Sequence, residues 1–221
     1  MTALANKQPK ADRLPSPNYD NRIIPVEFLV LHYTAVDLQR TLDIFLNPEK
    51  GVSAHLVIDR DGSIYEMVDC LEGEAKRGWH AGTSQWQEWE SFNDFSLGIE
   101  LVNFNGNIFE YSDAQYQSLQ QLVTQLKDLY PALQNAERVV GHEHIAGYRG
   151  KADPGACFDW PRFFSDNYPE AQAPDRPYVC PATMIKTLQS TAKNEPKGKD
   201  QRNQFWESAS AKVEELVRQN Q

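Results

Sequence analysis

The histidines are the first residues in this chain that suggest chemistry, because all five lie in its central part. His32 and His142 each stand at the end of an apolar run of strand length, and Asp153 lies in the polar loop after His142. A catalytic zinc site needs three protein ligands and an open position, and imidazole nitrogens and carboxylate oxygens are suitable donors. These three residues therefore form a candidate metal site, provided that the fold brings them together.

The chain also contains other histidines and three cysteines as alternative ligands. His144 lies two residues after His142 and could replace it, whereas the alternating segment around His55 is typical of a packing or cleft-lining residue. The three cysteines are widely spaced and form no CxxC pair, so we expect neither a cysteine zinc site nor a disulfide framework. They are Cys70, Cys157 and Cys180.

Two charged residues could act on a substrate beside such a metal. Glu100 is the one charged residue in a predicted buried strand, and burial raises the pKa of a carboxyl group toward that of a general base. A buried carboxylate is otherwise costly, so an ion pair with Arg77 or Arg149 is the structural alternative. Lys151 could place a positive charge beside a developing oxyanion.

The elements that must position these residues predict an α/β fold. Continuous apolar runs predict buried strands, and Asp61-Gly62 between two β-rich segments predicts a hairpin. A helix is predicted after Asp37, and a capping box of Ser112 and Gln115 begins a longer one. The alternation of strands and helices predicts a central mixed, largely parallel sheet flanked by helices. The predicted segments are strands 26–33, 95–104 and 138–141, hairpin 52–68, and helices 37–46 and 112–129.

Composition excludes several classes of protein. The 221 residues include 31 acidic and 22 basic side chains, a net charge of −9, so the attraction to phosphate on which nucleic-acid binders rely is missing. No apolar run approaches the length that crosses a bilayer, and mean hydropathy is −0.62. Residues 1–20 contain no apolar core of a secretory signal, so the default expectation is cytoplasmic, or the cell envelope if a leader was removed.

The chain divides into one domain with an appendage at each end. We expect an irregular N-terminal arm over 1–22, a catalytic domain over 23–164, and a Pro-rich linker with a helical appendage over 165–221. Apolar residues at helical spacing, from Phe205 to Val217, predict a last helix that docks on the domain or on a partner. This appendage carries none of the catalytic candidates.

Five motifs follow one another along the chain: LVLHYTA around His32, SAHLVIDRDG (53–62), WHAG (79–82), NDFSLGIELVN (93–103) and GHEHIAGYRGKADPGACFDW (141–160). In this order they resemble the motifs of the zinc-dependent type 2 N-acetylmuramoyl-L-alanine amidases. These AmpD-like and AmiD-like enzymes are related to the peptidoglycan recognition proteins, and the resemblance covers residues 23 to about 164. It implies that His32, His142 and Asp153 bind one zinc ion.

The resemblance also implies a reaction, namely hydrolysis of the amide between N-acetylmuramic acid, or its anhydro form, and L-alanine of peptidoglycan stem peptides. Glu100 would handle the proton of the attacking water, and Lys151 would stabilise the oxyanion. Trp79 and His80 of the WHAG motif would line the substrate cleft, and Arg149 would attract the anionic peptide. Peptidoglycan or a muropeptide is thus the expected partner, while the oligomeric state stays open.

Some features depart from the recycling enzymes of this family. Ser91-Phe92 stands where those enzymes commonly carry an arginine, and the neighbourhoods of LHYTA and WHAG are more similar to the AmiD-like branch. Two alternatives to the amidase interpretation are a peptidoglycan-binding module without activity and a zinc hydrolase that acts on another amide. The presence of all five residue types favours catalysis.

Overall fold

A computed structural model of the protein describes residues 10–220. Its strands are, in chain order, β1 (Ala11–Arg13), β2 (Tyr19–Ile24), β3 (Phe28–Tyr33), β4 (Leu56–Ile58), β5 (Ile64–Glu66), β6 (Ala75–Gly78), β7 (Gln85–Trp86), β8 (Trp89–Glu90), β9 (Ser96–Leu101) and β10 (Val139–Gly141). The α-helices are α1 (Leu38–Phe45), α2 (Asp113–Leu129), α3 (His142–Ala146), α4 (Trp160–Asn167), α5 (Ala182–Ala192) and α6 (Lys199–Gln219).

Six of these strands form the central sheet, in the order β1-β5-β4-β9-β3-β10. Neighbouring strands are parallel except for the β4–β5 hairpin, which turns at Asp61-Gly62. The prediction of a mixed, largely parallel sheet is therefore confirmed. The capping box at the start of α2 is also present, because the Ser112 hydroxyl accepts from Gln115 N–H and the Gln115 side chain accepts from Ser112 N–H.

The sheet buries different side chains on its two faces. Leu29 and Leu31 of β3 pack with α2 and α4 in the main core. Val57 of β4 packs with Phe45 of α1 in a separate cluster. Because side chains alternate along a strand, the residues between those of the main core point to the face that α2 and α4 leave uncovered.

The N-terminal arm is not irregular over its described part, so this prediction is wrong there. β1 lies parallel to β5 at the edge of the sheet, and β2 pairs antiparallel with β6. Most side chains of both strands are exposed or half-buried, so the sequence lacks the apolar pattern by which buried strands are predicted. Backbone pairing with β5 and β6 stabilises these elements. Residues 1–9 lie outside the described part.

The C-terminal part packs onto the domain. α4 crosses the predicted boundary at residue 164 and buries Phe163 and Phe164 in the main core. The predicted last helix is α6, and the side chain of its Trp206 is fully buried, with its ring centroid 5.1 Å from that of Phe109. No helix among residues 10–220 combines the length and the apolar character needed to span a membrane.

Candidate active site

Two of the candidate side chains stand next to each other on neighbouring strands. In the parallel pairing of β3 with β9, His32 is the register partner of Glu100. Leu31 and Ile99, one residue earlier on each strand, belong to the main core. His32 and Glu100 therefore project together from the opposite face, near the carboxyl ends of both strands, where ligands collect in sheets of this kind.

His142 and Asp153 reach the same place from the third parallel strand. β10 lies beside β3 with Gly141 opposite Leu31, and α3 begins directly after it at His142. The loop that follows returns to this point, where Glu143 N–H donates to the carbonyl of Asp153 at 2.8 Å. The loop is thereby fixed next to the strand end.

The side chains of His32, His142 and Asp153 converge on one point. The Nδ1 atoms of the two histidines are 3.1 Å apart. Asp153 Oδ2 lies 3.0 Å from His32 Nδ1 and 3.1 Å from His142 Nδ1. All three side chains are buried, and one potential ligand atom from each lies within 4.8 Å of the others. The cluster could hold a metal ion, as two nitrogens and one oxygen suit zinc.

A hydrogen bond at Nε2 of His142 leaves the lone pair of its Nδ1 directed at the point where the three side chains converge. Its Nε2 lies 3.3 Å from the carbonyl oxygen of Ala81, which can only accept, so this contact places a proton on Nε2. In the tautomer with its single proton there, Nδ1 presents a lone pair to the carboxylate of Asp153. Lone pairs that meet in a buried site repel one another unless a cation lies between them, so the arrangement fits a bound metal ion.

A hydrogen bond between His32 and His80 directs the Nδ1 lone pair of His32 toward the same point. The Nε2 atom of His80 lies 3.3 Å from the Ser96 carbonyl oxygen, so it carries the proton and Nδ1 accepts. His32 Nε2, 3.1 Å from that Nδ1, is then the donor, which leaves His32 Nδ1 unprotonated. Burial and the neighbouring His142 lower the pKa of His32 to about 4, so the ring is neutral at pH 7. His80 also lines the cavity that contains His32 and Glu100, and its bond to His32 fixes the orientation of a candidate metal ligand.

We expect His80→Phe to weaken metal binding by about 10–100-fold, the effect typical of losing a group that orients a metal ligand. Phenylalanine keeps an aromatic ring in the space but removes the acceptor for His32 Nε2. Competition with a chromogenic chelator would measure the zinc dissociation constant of each protein.

His55→Gln is the matched control for this variant. His55 is also fully buried, but its nitrogens bond to the Lys76 carbonyl and to Gly98 N–H. The control should lose thermal stability while its zinc affinity changes little. Equal zinc affinities of His80→Phe and the unmodified protein would contradict the orienting role.

Glu100 has the properties of a proton-transfer group. Its Oε2 is buried and has no hydrogen-bond partner among residues 10–220. Burial, followed by the nearby Asp153, raises the pKa of Glu100 to about 8. The ion pairs considered as alternatives do not form, because Arg77 pairs with Asp20 and Asp94, whereas the Arg149 guanidinium donates to the carbonyl of Ala81.

The other predicted residues have more peripheral positions. Arg149 donates from Nη2 to Ala81 O at 2.8 Å and so ties the loop before α4 to the WHAG segment. Trp79 is half-buried, and its backbone N–H donates to the Ser53 hydroxyl. His144 points away from the cluster, since its Nδ1 accepts from Gly141 N–H and its Nε2 faces the Pro177 carbonyl. Both its nitrogens are thus engaged elsewhere.

One wall of the cavity that holds His32 and Glu100 comes from the C-terminal appendage, which carries none of the predicted catalytic residues. The cavity has a volume of 190 Å³ and is lined by His32, Glu100, Lys151 and three residues of α6. These three are Ser210, Val213 and Glu214. The Lys151 ammonium donates to the Glu214 carboxylate. No local sequence signal marks this contact, because it joins residues that are 63 positions apart.

Comparison with known proteins shows to which family the chain belongs. The family model for N-acetylmuramoyl-L-alanine amidases matches residues 22–156, more than half of the chain. The chain belongs to this amidase family. The amidase is 39% identical over 175 residues to 1,6-anhydro-N-acetylmuramyl-L-alanine amidase AmpD of Escherichia coli K12, a match that covers 69% of this chain and 90% of that relative.

Solved structures of related amidases share the fold. The amidase superposes on a crystal structure of a selenomethionine AmpD derivative with a TM-score of 0.59 and 36% identity, over 75% of this chain and 99% of that one. AmiD from Escherichia coli, in complex with anhydro-N-acetylmuramic acid-L-Ala-D-γ-Glu-L-Lys, gives a TM-score of 0.57 and 27% identity, over 78% and 74% of the two chains. Identity is thus higher to AmpD, although some motif neighbourhoods favoured the AmiD-like branch.

Proposed function

We propose that this amidase binds one zinc ion through His32, His142 and Asp153 and hydrolyses the lactyl–L-alanine amide of muropeptides with the help of Glu100 and Lys151. The observation that carries the proposal is the convergence of two imidazole Nδ1 atoms and a carboxylate oxygen in the cavity that Glu100 also lines. The family supplies the class of reaction, hydrolysis of the amide between a muramoyl group and L-alanine.

Each residue has a defined task in this scheme. Zinc held by the three ligands would polarise the lactyl carbonyl and lower the pKa of the attacking water. Glu100 accepts a proton from that water through its unpartnered Oε2 and passes it to the nitrogen of the leaving L-alanine. The Lys151 ammonium stabilises the negative charge that develops on the carbonyl oxygen.

The substrate class that we propose is a muropeptide with a muramic or anhydromuramic end. Its support is the AmiD complex with anhydro-N-acetylmuramic acid-L-Ala-D-γ-Glu-L-Lys and the name of the AmpD relatives. Stem peptides carry carboxylates, and the chain has a net charge of −9, so attraction must come from local cations. Arg149 and Lys151, in the loop between His142 and Asp153, are the cations that would supply this attraction.

Incubation of the zinc-loaded protein with anhydro-N-acetylmuramoyl-L-Ala-D-γ-Glu-L-Lys tests the proposal. We expect release of the tripeptide with a free L-alanine amine, detected by mass spectrometry, and loss of release after chelation. Binding without cleavage would instead identify a peptidoglycan-binding module. Equally rapid hydrolysis of a simple acyl-L-alanine would indicate a hydrolase of broader amide specificity.

A further inference from the structure

The C-terminal helix presents a partly polar face to the catalytic cavity. Ser210, Val213 and Glu214 lie on one side of α6, as residues three and four positions apart do in a helix, and all three line the cavity. Ser210 Oγ is buried and has no partner within the described part of the chain. The family match ends at residue 156, so this wall is built by a segment beyond the matched domain.

Several independent contacts fix α6 in this position. Trp206 is fully buried, Asn203 accepts from Asp37 N–H at 3.0 Å, and Arg218 donates to the Arg149 carbonyl at 2.8 Å. Helix and domain thus meet along most of the length of α6.

Gly150 permits the closest approach of the helix. Its φ is +99°, and a Cβ built on it would lie 2.1 Å from the carbonyl oxygen of Glu214. A residue with a side chain would therefore be strained at this position and would push α6 outward. The backbone next to Lys151 therefore allows α6 to pack closely at the turn that carries Glu214.

Glu214 provides the bond that holds the Lys151 side chain. Among residues 10–220, the Lys151 ammonium donates to the Glu214 carboxylate and to no other group. Lysine carries its charge on a flexible stem of four carbons, so an ammonium without a partner would sample many positions. An ammonium has three donors, and the bond to Glu214 leaves two for a substrate oxygen or water.

We propose that Glu214 is a positioning residue, which holds the Lys151 ammonium in the cavity so that it meets the carbonyl oxygen during amide hydrolysis. The proposal rests on the function proposed above for Lys151. In this proposal α6 contributes a positioning residue to the active site and also packs against the domain.

A double-mutant cycle tests this proposal in the full-length, zinc-loaded protein. We expect Glu214→Gln to lower kcat on the anhydromuramoyl tripeptide about tenfold, within the range found for residues in contact, with KM and zinc content unchanged. In a Lys151→Met background the same change should have almost no further effect, because the group that Glu214 positions is gone. Glu214→Asp, which keeps the charge, should recover part of the lost kcat.

Glu215→Gln is the matched control, because Glu215 is the next residue of α6 and bonds instead to Lys212 and Gln219. It should keep the kcat of the unmodified protein. Equal fold losses from Glu214→Gln in both backgrounds, or a higher kcat than that of the unmodified protein, would overturn the positioning role. An unmodified protein that releases no tripeptide would instead refute the proposed function, and an inert Lys151→Met change would refute the role of Lys151.

Discussion

Replacement of Glu100 by glutamine should lower kcat by about 10²–10⁴-fold, the usual contribution of a positioned general acid or base. The amide of glutamine fills the same space but can neither accept the proton of the attacking water nor pass it on. Glu100 is not one of the three converging ligands, so zinc content should stay the same. Steady-state release of the tripeptide and metal analysis of the same sample measure both quantities.

Glu143→Gln is the matched control for this variant. Burial raises the pKa of Glu143 to about 8, as it does for Glu100, and one of its oxygens also lacks a partner within residues 10–220. Its other oxygen accepts from Val179 N–H, away from the cavity. We expect the control to keep kcat within a few-fold of the unmodified protein, since a raised pKa makes a carboxyl group catalytic only where the group can reach the reacting atoms. Full activity of Glu100→Gln would refute the assigned role.

Asp153→Ala should abolish zinc binding at micromolar metal and, with it, all measurable turnover. The change removes one of the three proposed ligands and leaves two imidazole nitrogens 3.1 Å apart with no anion between them. In the unmodified protein, zinc at 100 times its Kd should add about 2.7 kcal/mol to the free energy of unfolding. Thermal unfolding with and without zinc should therefore show an increase in Tm that the variant lacks.

A His144→Gln variant controls this experiment and decides which histidine is the ligand. His144 bonds to Gly141 N–H and faces the Pro177 carbonyl, so its loss should lower Tm in the absence of metal. The additional rise in Tm on zinc addition should be kept, whereas His142→Gln should lose it. The reverse pattern would assign the site to His144.

Much of the site could be predicted because its information is local in sequence. The strands that end near His32 and Glu100 are continuous apolar runs, and such runs are buried in sheets covered on both faces. Their adjacency then follows from the parallel pairing of β3 with β9. Asp153 was predictable for the same reason, since it follows His142 within one loop.

The contributions of His80 and α6 could not be predicted from such local patterns. The orienting bond joins His80 to His32 across 48 positions, and its direction depends on the Ser96 carbonyl behind it. In the sequence, Glu214 cannot be distinguished from an exposed glutamate of any amphipathic helix; only the docked position of α6 shows its contact with Lys151. Contacts of this kind are decided by how the chain closes in three dimensions, and a single sequence contains no period or spacing that marks them.

The position of α6 sets an order of events during protein synthesis. The ribosome makes the chain from its N-terminus, so His32, Glu100, His142 and Asp153 all emerge before residues 199–219. A nascent chain that ends before α6 contains these four residues but lacks the residues that form one side of the cavity. Ser210, Val213 and Glu214 are thus the last residues of the cavity lining to leave the ribosome, and this side of the cavity can form only after α6 has been translated.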